Sequence, residues 1–367
     1  MTDNRYQTAD KNTDVCVVGG GPAGLQAAIV AKELGGNVVI VDDNPILGGQ
    51  LIKQTHKFFG SKLHYCGVRG IDIATILSNR VEELGIEVIN DATVVGYYDN
   101  DTLGILRHDN LFSLRAERYI FATGASENML AFDNADLPGV YGAGAVQTMM
   151  NVYGVIPGKR AVVVGSGNIG LIVPYQLIQA GVEVAAIVEI MDKFGGYYVH
   201  AAKIKRSGVP IYLKHTVIEA KGKDRVEAAV ISQVGDDYTC LLGTEKIIEC
   251  DMILIAIGLS PLCDLLYHAG CRVEYVSELG GNVPYHDASM MTSKANIFVC
   301  GDLACIEEAS TAMLEGRIAG ARVFESLKGK DKRAEVIATE AARELEIIRR
   351  SPFEERIVYG KKTLSTL

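Results

Sequence analysis

Two glycine-rich turns constrain this chain more than any other feature: Gly19-x-Gly21-x-x-Gly24 after the apolar run 15–18, and Gly165-x-Gly167-x-x-Gly170 after the run 161–164. In such a turn the first glycine bends the chain off a strand, the second lets the backbone approach a pyrophosphate, and the third lets helix pack on strand. Free N–H groups of the following helix then favour phosphate. A single copy is weak, because glycine turns are common. Here each copy has a strand pattern before it, a helix pattern after it and an acid further on, so both read as dinucleotide-binding fingerprints. In the first, Pro22 and Ala23 open a helix over 22–35, a strand covers 37–41, and Asp42, followed by Asp43, stands at its end to take ribose hydroxyls. In the second, Asn168 and Ile169 open a helix over 168–181, a strand covers 182–188, and Glu189 is the matching acid. Two dinucleotides on one chain point to electron transfer between them.

Composition narrows the class. With 367 residues, 48% hydrophobic and 22% charged, the chain can bury one full core or two. Its net charge of −9 argues against a nucleic-acid partner. The apolar runs 252–257 and 161–164 are short and bounded by turn residues, which fits buried parallel strands rather than membrane spans. The N-terminal stretch 1–13 is polar and carries no apolar signal core, so a soluble, cytoplasmic protein is expected. Eight cysteines stand at 16, 66, 240, 250, 263, 271, 300 and 305, without a CxxC, which supports neither an iron–sulfur nor a structural zinc site. Cys300 and Cys305 read as packing residues rather than as a redox disulfide.

Alternating strand and helix patterns predict an α/β fold of two Rossmann-like dinucleotide-binding domains, the second inserted in the first. Run 111–123, before Gly124, reads as a strand returning under the first nucleotide, and run 252–257, before Gly258, repeats it in the second half. Gly301-Asp302 closes a further strand over 296–300. Beyond it a helix over 309–328 places Leu314, Ile318, Ala321 and Phe324 on one face, with Glu315, Arg322 and Glu325 off that face. These patterns set the expected boundaries at 1–125 with 285–330 for the first domain, 126–284 for the second, and 331–367 for a C-terminal helix and tail. The charged stretch 331–350 has helical spacing in Val336, Ile337, Ala341, Leu345 and Ile348; a solvated surface helix is expected, with covering of the first domain or docking of a partner as alternatives.

The motifs Gly19-Gly20-Gly21-Pro22-Ala23-Gly24, Gly48-Gly49-Gln50-Leu51, Ala122-Thr123-Gly124, Ala256-Ile257-Gly258 and Cys300-Gly301-Asp302 resemble the two-dinucleotide flavoprotein superfamily of thioredoxin reductases and pyridine nucleotide-disulfide oxidoreductases, over most of residues 14–330. Within it, segments 42–50 and 137–148 are similar to the large subunits of opine oxidase, hydrogen cyanide synthase and multisubunit proline or sarcosine dehydrogenases. The resemblance implies FAD in the first domain. Gly19, Gly21 and Gly24 would cradle its pyrophosphate, Asp42 its ribose and the backbone at Val94 its adenine, with Pro22, Ala23, Asp43, Gly49, Gln50, Ala122, Thr123, Gly124 and Gly301 around it. Asp302 would hold the ribityl chain, and the helix end at Ser310 and Thr311 would face the flavin N1 and O2 edge, where a helix N-terminus stabilises the charge of the reduced ring. It implies NAD in the second domain, on Gly165, Gly167, Asn168, Ile169, Gly170, Glu189 and Gly258. Glu189 would accept from ribose hydroxyls and repel a 2′-phosphate, and no arginine cluster follows it.

Disulfide reductases of the superfamily carry a cysteine pair beside the flavin or in the nicotinamide domain. Residues 49–56 and 137–150 contain none, so disulfide reduction is not expected. Similar large subunits often carry a cysteine-rich iron–sulfur module; run 306–367 has no cysteine, which would put such a centre on another chain. Hydride transfer needs stacking more than an acid or base, so no catalytic residue is assigned. Lys53, Gln54 and His56 either reach the flavin face or line a loop, and Tyr197, Tyr198 and His200 read as packing. His64 and Cys66 are too few for a metal site. Three functions stay open: a subunit of an oligomer exchanging electrons between NAD(H) and a second flavoprotein or small iron–sulfur subunit in amine or amino-acid oxidation, a self-sufficient NADH oxidase or reductase, and a nucleotide-binding assembly subunit.

Overall fold

The computed structural model describes residues 10–366; residues 1–9, on which most of the expectation about the polar N-terminus rests, lie outside them. The chain divides into two compact units, one from residues up to Ser126 together with residues from Ser260 onward, the other Glu127–Leu259.

In the first unit, β1 (Lys11–Val18), α1 (Pro22–Leu34), β2 (Val38–Val41), α2 (Gly70–Glu83) and β3 (Glu87–Ile89) are followed by β4 (Ala92–Tyr98), β5 (Thr102–Arg107) and β6 (Asn110–Phe121). β7 (Ala125–Glu127) leads out of it. Strands β3, β2, β1 and β6 lie side by side in parallel, the pairing that strand–helix–strand crossovers produce. On the edge away from β1, β6 is long enough for two partners. Its first half pairs antiparallel with β5, which pairs with β4. Its second half pairs in parallel with a strand that arrives late in the chain.

The second unit holds β8 (Val140–Gly142), α3 (Ala143–Asn151), β9 (Arg160–Val164), α4 (Asn168–Gln179), β10 (Glu183–Glu189), α5 (Tyr198–Arg206), β11 (Ile211–Leu213), β12 (His215–Lys221), β13 (Ala228–Gln233), β14 (Lys246–Glu249) and β15 (Met252–Ile255). Its parallel sheet runs β11-β10-β9-β15-β8, with a separate antiparallel sheet β12-β13-β14. Strand alternation explains the layering. Ala161, Val163, Met252 and Leu254 join one core with Leu171, Leu177, Ala201 and Ile204 of the helices. Val162, Val164, Ile253 and Ile255 join another with Val217, Ala220, Ala229 and Ile231 of the antiparallel sheet.

The chain returns through β16 (Leu259–Pro261), α6 (Asp264–His268), β17 (Val273–Val276), β18 (Gly281–Pro284) and β19 (Ile297–Val299), the late partner of β6. It ends in α7 (Ala309–Lys328), α8 (Lys332–Arg349) and α9 (Glu355–Thr366). Two expectations are corrected here. The return crossing lies at residues 259–260 rather than near 285, because Cys263, Leu266 and Cys271 bury in the first unit's main core and Val276, Leu279 and Val283 bury against Cys305, Ile357 and Leu364. Nor is stretch 331–367 a separate tail or α8 a solvated helix. Ala334 and Ala338 pack with Val30, Leu34, Ala321 and Phe324, while Ala341 and Leu345 enter the main core. Asp331 caps α8 by accepting from the Arg333 and Ala334 N–H groups at 2.7 and 3.2 Å. No described helix is long and apolar enough to cross a membrane.

The first unit is held together by α1 and α7. α1 is buried on nearly all sides, from Ala23 through Leu34. Gly316 and Gly320 of α7 lie on it so closely that a Cβ on either would overlap the backbone carbonyls of Ala23 and Ala27. Gly320→Val is expected to lower the free energy of unfolding by at least ~2 kcal/mol, read by urea denaturation, because the overlapping atom is backbone and cannot step aside.

Candidate functional site

The two fingerprint turns are built alike. Gly19 and Gly165 sit at φ of 106° and 102°, each against the carbonyl of an alanine, Ala122 or Ala256, at the end of the neighbouring strand. A Cβ at Gly24 or Gly170 would overlap the carbonyl oxygen of Gly19 or Gly165, so each third glycine seats the helix on its own turn. The second glycines differ in kind. A Cβ at Gly21 would meet nothing nearer than the Gly49 Cα at 3.9 Å, and one at Gly167 nothing within 4 Å. Their backbones border open space, which is the condition for close approach of a pyrophosphate.

Each turn is tied to the end of the second strand by a buried acid. Asp42 accepts from the Gly20 N–H, from the Asn44 N–H at 2.8 Å and from Asn44 Nδ2 at 3.1 Å. Burial nonetheless pushes its carboxyl up, against the pull of those hydrogen bonds. Glu189 accepts from the N–H and hydroxyl of Ser166 at 2.8 and 2.6 Å and from the Met191 N–H at 2.9 Å. Both acids therefore shape the turn as well as offering an acceptor. Asp43 is exposed and accepts from Asn44 Nδ2 at 2.8 Å.

A second glycine pair completes each turn, and sequence reasoning undervalued it. The Gly48 N–H donates to the Gly20 carbonyl at 2.8 Å, and Gly49, at φ 51°, backs onto Gly21. In the other unit the Gly195 and Gly196 N–H groups donate to the Ser166 carbonyl at 3.2 and 2.9 Å, and Asn168 Oδ1 accepts from the Tyr197 N–H at 2.9 Å. Only Gly49 among these four glycines was expected at a nucleotide. The signal was present, because Gly48-Gly49 follows Asp42 by the same six residues as Gly195-Gly196 follows Glu189.

Other expected residues fall as follows. Gln50 is exposed on the short helical turn Gly49–Lys53. Val94 lies where the β4–β5 register shifts, a bulge that frees backbone groups from the ladder. The Thr123 hydroxyl donates to the Leu262 carbonyl at 3.0 Å, beside Gly124 at φ 74°. Gly258 has φ 121°, and Ile169 packs on the helical core of its unit. Gly301, at φ 71°, presses on Ala23, so α1 and the Gly301-Asp302 turn share one wall. Burial first, then the neighbouring acids Glu315, Glu308 and Glu307, push the Asp302 carboxyl up to about 7, although its side chain keeps some exposure. The Thr311 hydroxyl donates to the Glu308 carbonyl at 2.7 Å, and Ser310 is half-buried beside it. The N-cap of α7 makes no side-chain hydrogen bond to the helix.

Among the residues weighed for chemistry, His56 stacks on Phe58 at 5.8 Å between ring centroids, and His200 is buried on α5, 6.4 Å from the Tyr197 ring. Cys300 and Cys305 are buried free thiols in different core clusters, each pushed well above its ordinary value by burial. Sequence reasoning missed Glu127, whose carboxylate accepts from the Gly144 and Ala145 N–H groups at 2.6 and 3.1 Å and so caps α3. Glu315, expected off the buried face of α7, is 1% exposed.

A model of the pyridine nucleotide-disulphide oxidoreductase family matches residues 13–316. The chain belongs to that family. Like other pyridine nucleotide-disulphide oxidoreductases it is an oxidoreductase of the flavin and pyridine-nucleotide type. The alpha subunit of sarcosine oxidase from Rhizobium meliloti (strain 1021) is 28% identical over 288 residues, covering 74% of this chain and 27% of the relative. An opine oxidase subunit from Agrobacterium tumefaciens (strain Ach5) is 26% identical over 338 residues, covering 86% and 66%. The chain thus spans about a quarter of the length of the first relative and about two thirds of the second. The crystal structure of T. acidophilum thioredoxin reductase shares the fold, with a TM-score of 0.70 at 22% identity over 86% of this chain and 99% of that one.

Two outcomes follow from the geometry. Gly24→Ala is expected to cost about 3 kcal/mol of unfolding free energy, and Gly21→Ala less than about 1, both measured by urea denaturation. For Asp302 the sign is set by a carboxyl raised from 3.8 to about 7 in the folded chain. Its contribution is full below about pH 4 and is lost as pH rises through about 7. The stability of Asp302→Asn minus that of the parent, both freed of nucleotide, therefore grows from about pH 4 to about pH 7 and is flat above.

Proposed function

We propose that the first unit holds FAD, that the second holds NAD, and that the chain passes electrons between NAD(H) and a partner flavoprotein or iron–sulfur protein in amine or amino-acid oxidation. The observation that carries this reading is the duplicated construction: turn, tying acid and glycine pair recur in both units, each leaving its second glycine bordering open space. A bound flavin and nicotinamide would supply hydride chemistry that no side chain here provides. The chain's own part is to bind and orient. Gly21 and Gly167 admit the two pyrophosphates, Asp42 and Glu189 keep acceptors at the two riboses, and Asp302 with the α7 N-terminus lies at the flavin's polar edge.

The lack of cysteine in residues 49–56 and 137–150 supports an acceptor other than a disulfide. The names of the relatives, subunits of sarcosine oxidase and opine oxidase, support the substrate class and a partner chain. NAD over NADP rests on Glu189, a fixed negative charge where a 2′-phosphate would lie, with only Lys193 as a cation in the four residues after it.

Anaerobic titration of the purified chain tests this. NADH is expected to bleach the visible flavin absorbance and NADPH to leave it unchanged. Gly21→Ala is expected to lose flavin, whereas Gly167→Ala keeps flavin and loses the response to NADH. A flavin that stays oxidised with either nucleotide overturns the electron-transfer reading, and fast turnover of the chain alone with oxygen replaces the partner by a self-sufficient oxidase.

A further inference from the structure

Among the described residues of the first unit the most deeply buried charged side chain is Glu315, the seventh residue of α7. One carboxylate oxygen accepts from the Gly301 N–H at 3.1 Å. The other accepts from Arg349 Nη2 at 2.7 Å and Lys361 Nζ at 3.1 Å. Arg349, the last residue of α8, also donates through Nε to Glu307 at 3.0 Å and through Nη2 to the other Glu307 oxygen. Lys361, on α9, also donates to His286 Nε2 at 2.9 Å and reaches the Ala304 carbonyl at 3.4 Å. His286 Nδ1 lies 2.8 Å from the Pro284 carbonyl and donates to it, which leaves Nε2 as the acceptor of a neutral ring. Burial, and then Lys361, push that imidazole down to about 3.

A cluster of this kind is a poor way to hold a fold together. Desolvating the ions offsets most of their attraction, and apolar residues of the same size often serve stability as well or better. The cluster does have a definite output. The carboxylate oxygen left over from the two cations fixes the N–H of Gly301, and Gly301 carries the turn that presents Asp302. Burial alone would raise the Glu315 carboxyl; Lys361 first and Arg349 next overcome it and hold the group well below the usual carboxylate range. The acceptor is therefore ionised at any physiological pH.

We propose that Glu315 is a positioning residue for the flavin-binding turn, and that Arg349 and Lys361 make the two C-terminal helices a clamp that keeps that turn in its binding shape. This rests on the reading that Gly301-Asp302 holds a flavin. Arg349 comes from α8, Lys361 from α9 and His286 from the loop after β18, while Asp302, Glu307 and Glu354 are the other acids around them. Burial, with Glu307 and Glu308 adding to it, already pushes Glu354 up to about 7. Taking away one cation leaves the Glu315 carboxylate under-compensated, so its carboxyl rises toward the value that burial alone would give it. Once protonated it is a weak acceptor for the Gly301 N–H, and the turn loosens.

The test is the dissociation constant of FAD, followed by flavin fluorescence across pH for the parent, Lys361→Met and Lys361→Arg. The ratio of Lys361→Met to parent is expected to rise at least about tenfold on acidification from about pH 8 to about pH 5.5. Taking a ratio removes the part of the titration at Asp302 and Glu354 that parent and variant share. Lys361→Arg, which keeps the charge, is expected to stay near the parent at every pH. Should Lys361→Met fail to fold, Lys361→Gln, which keeps a donor without the charge, carries the same expectation. A ratio that is flat with pH overturns the clamp while leaving the flavin assignment standing. A parent that takes up no FAD overturns the flavin assignment and the clamp with it.

Discussion

Each unit depends on one buried carboxylate that ties its glycine turn to the end of its second strand. At least three donors converge on Asp42, and at least three on Glu189. Without those donors a buried carboxylate would cost several kcal/mol or give up its charge. With them it fixes the residue between the first two glycines of the turn, and so the path along which the backbone enters the helix. The glycine pair six residues later closes the same ring from the other side. The turn is thus a small, doubly braced frame whose interior is backbone.

Local spacing made this frame legible in the sequence. Glycines at fixed offsets, an apolar strand before them and an acid at the end of the next strand are all set within a few dozen residues, and α/β class with two domains, one inserted in the other, follows from their order. What stayed hidden depends on distant pairing. The return crossing at residues 259–260 is decided by Cys263, Leu266 and Cys271 finding the first unit's core, and nothing in their own spacing names that core. Helix α8 looks solvated because its charges outnumber a narrow stripe of alanines that packs against α1 and α7.

Glu315 shows the limit most clearly. A helical repeat assigns a lone glutamate to the wet side, since a buried carboxylate is costly. Arg349 and Lys361, the cations that reverse that rule, stand 34 and 46 residues further along the chain. A repeat reads one element at a time, and a charge network is a property of several. Glu127 escaped notice for the same reason, because the α3 end it caps begins 16 residues later.

The glycine contact between α1 and α7 also orders events in time. Residues 23–27 of α1 find their partners at residues 316–320, with the whole second unit lying between them in the chain. A ribosome delivers Glu127–Leu259 as one contiguous stretch with its own two cores, so that unit can close while the first still lacks β19 and α7. The first unit's early strands must then wait, apolar faces uncovered, until β19 and α7 emerge, so the longest exposure of its core comes during synthesis.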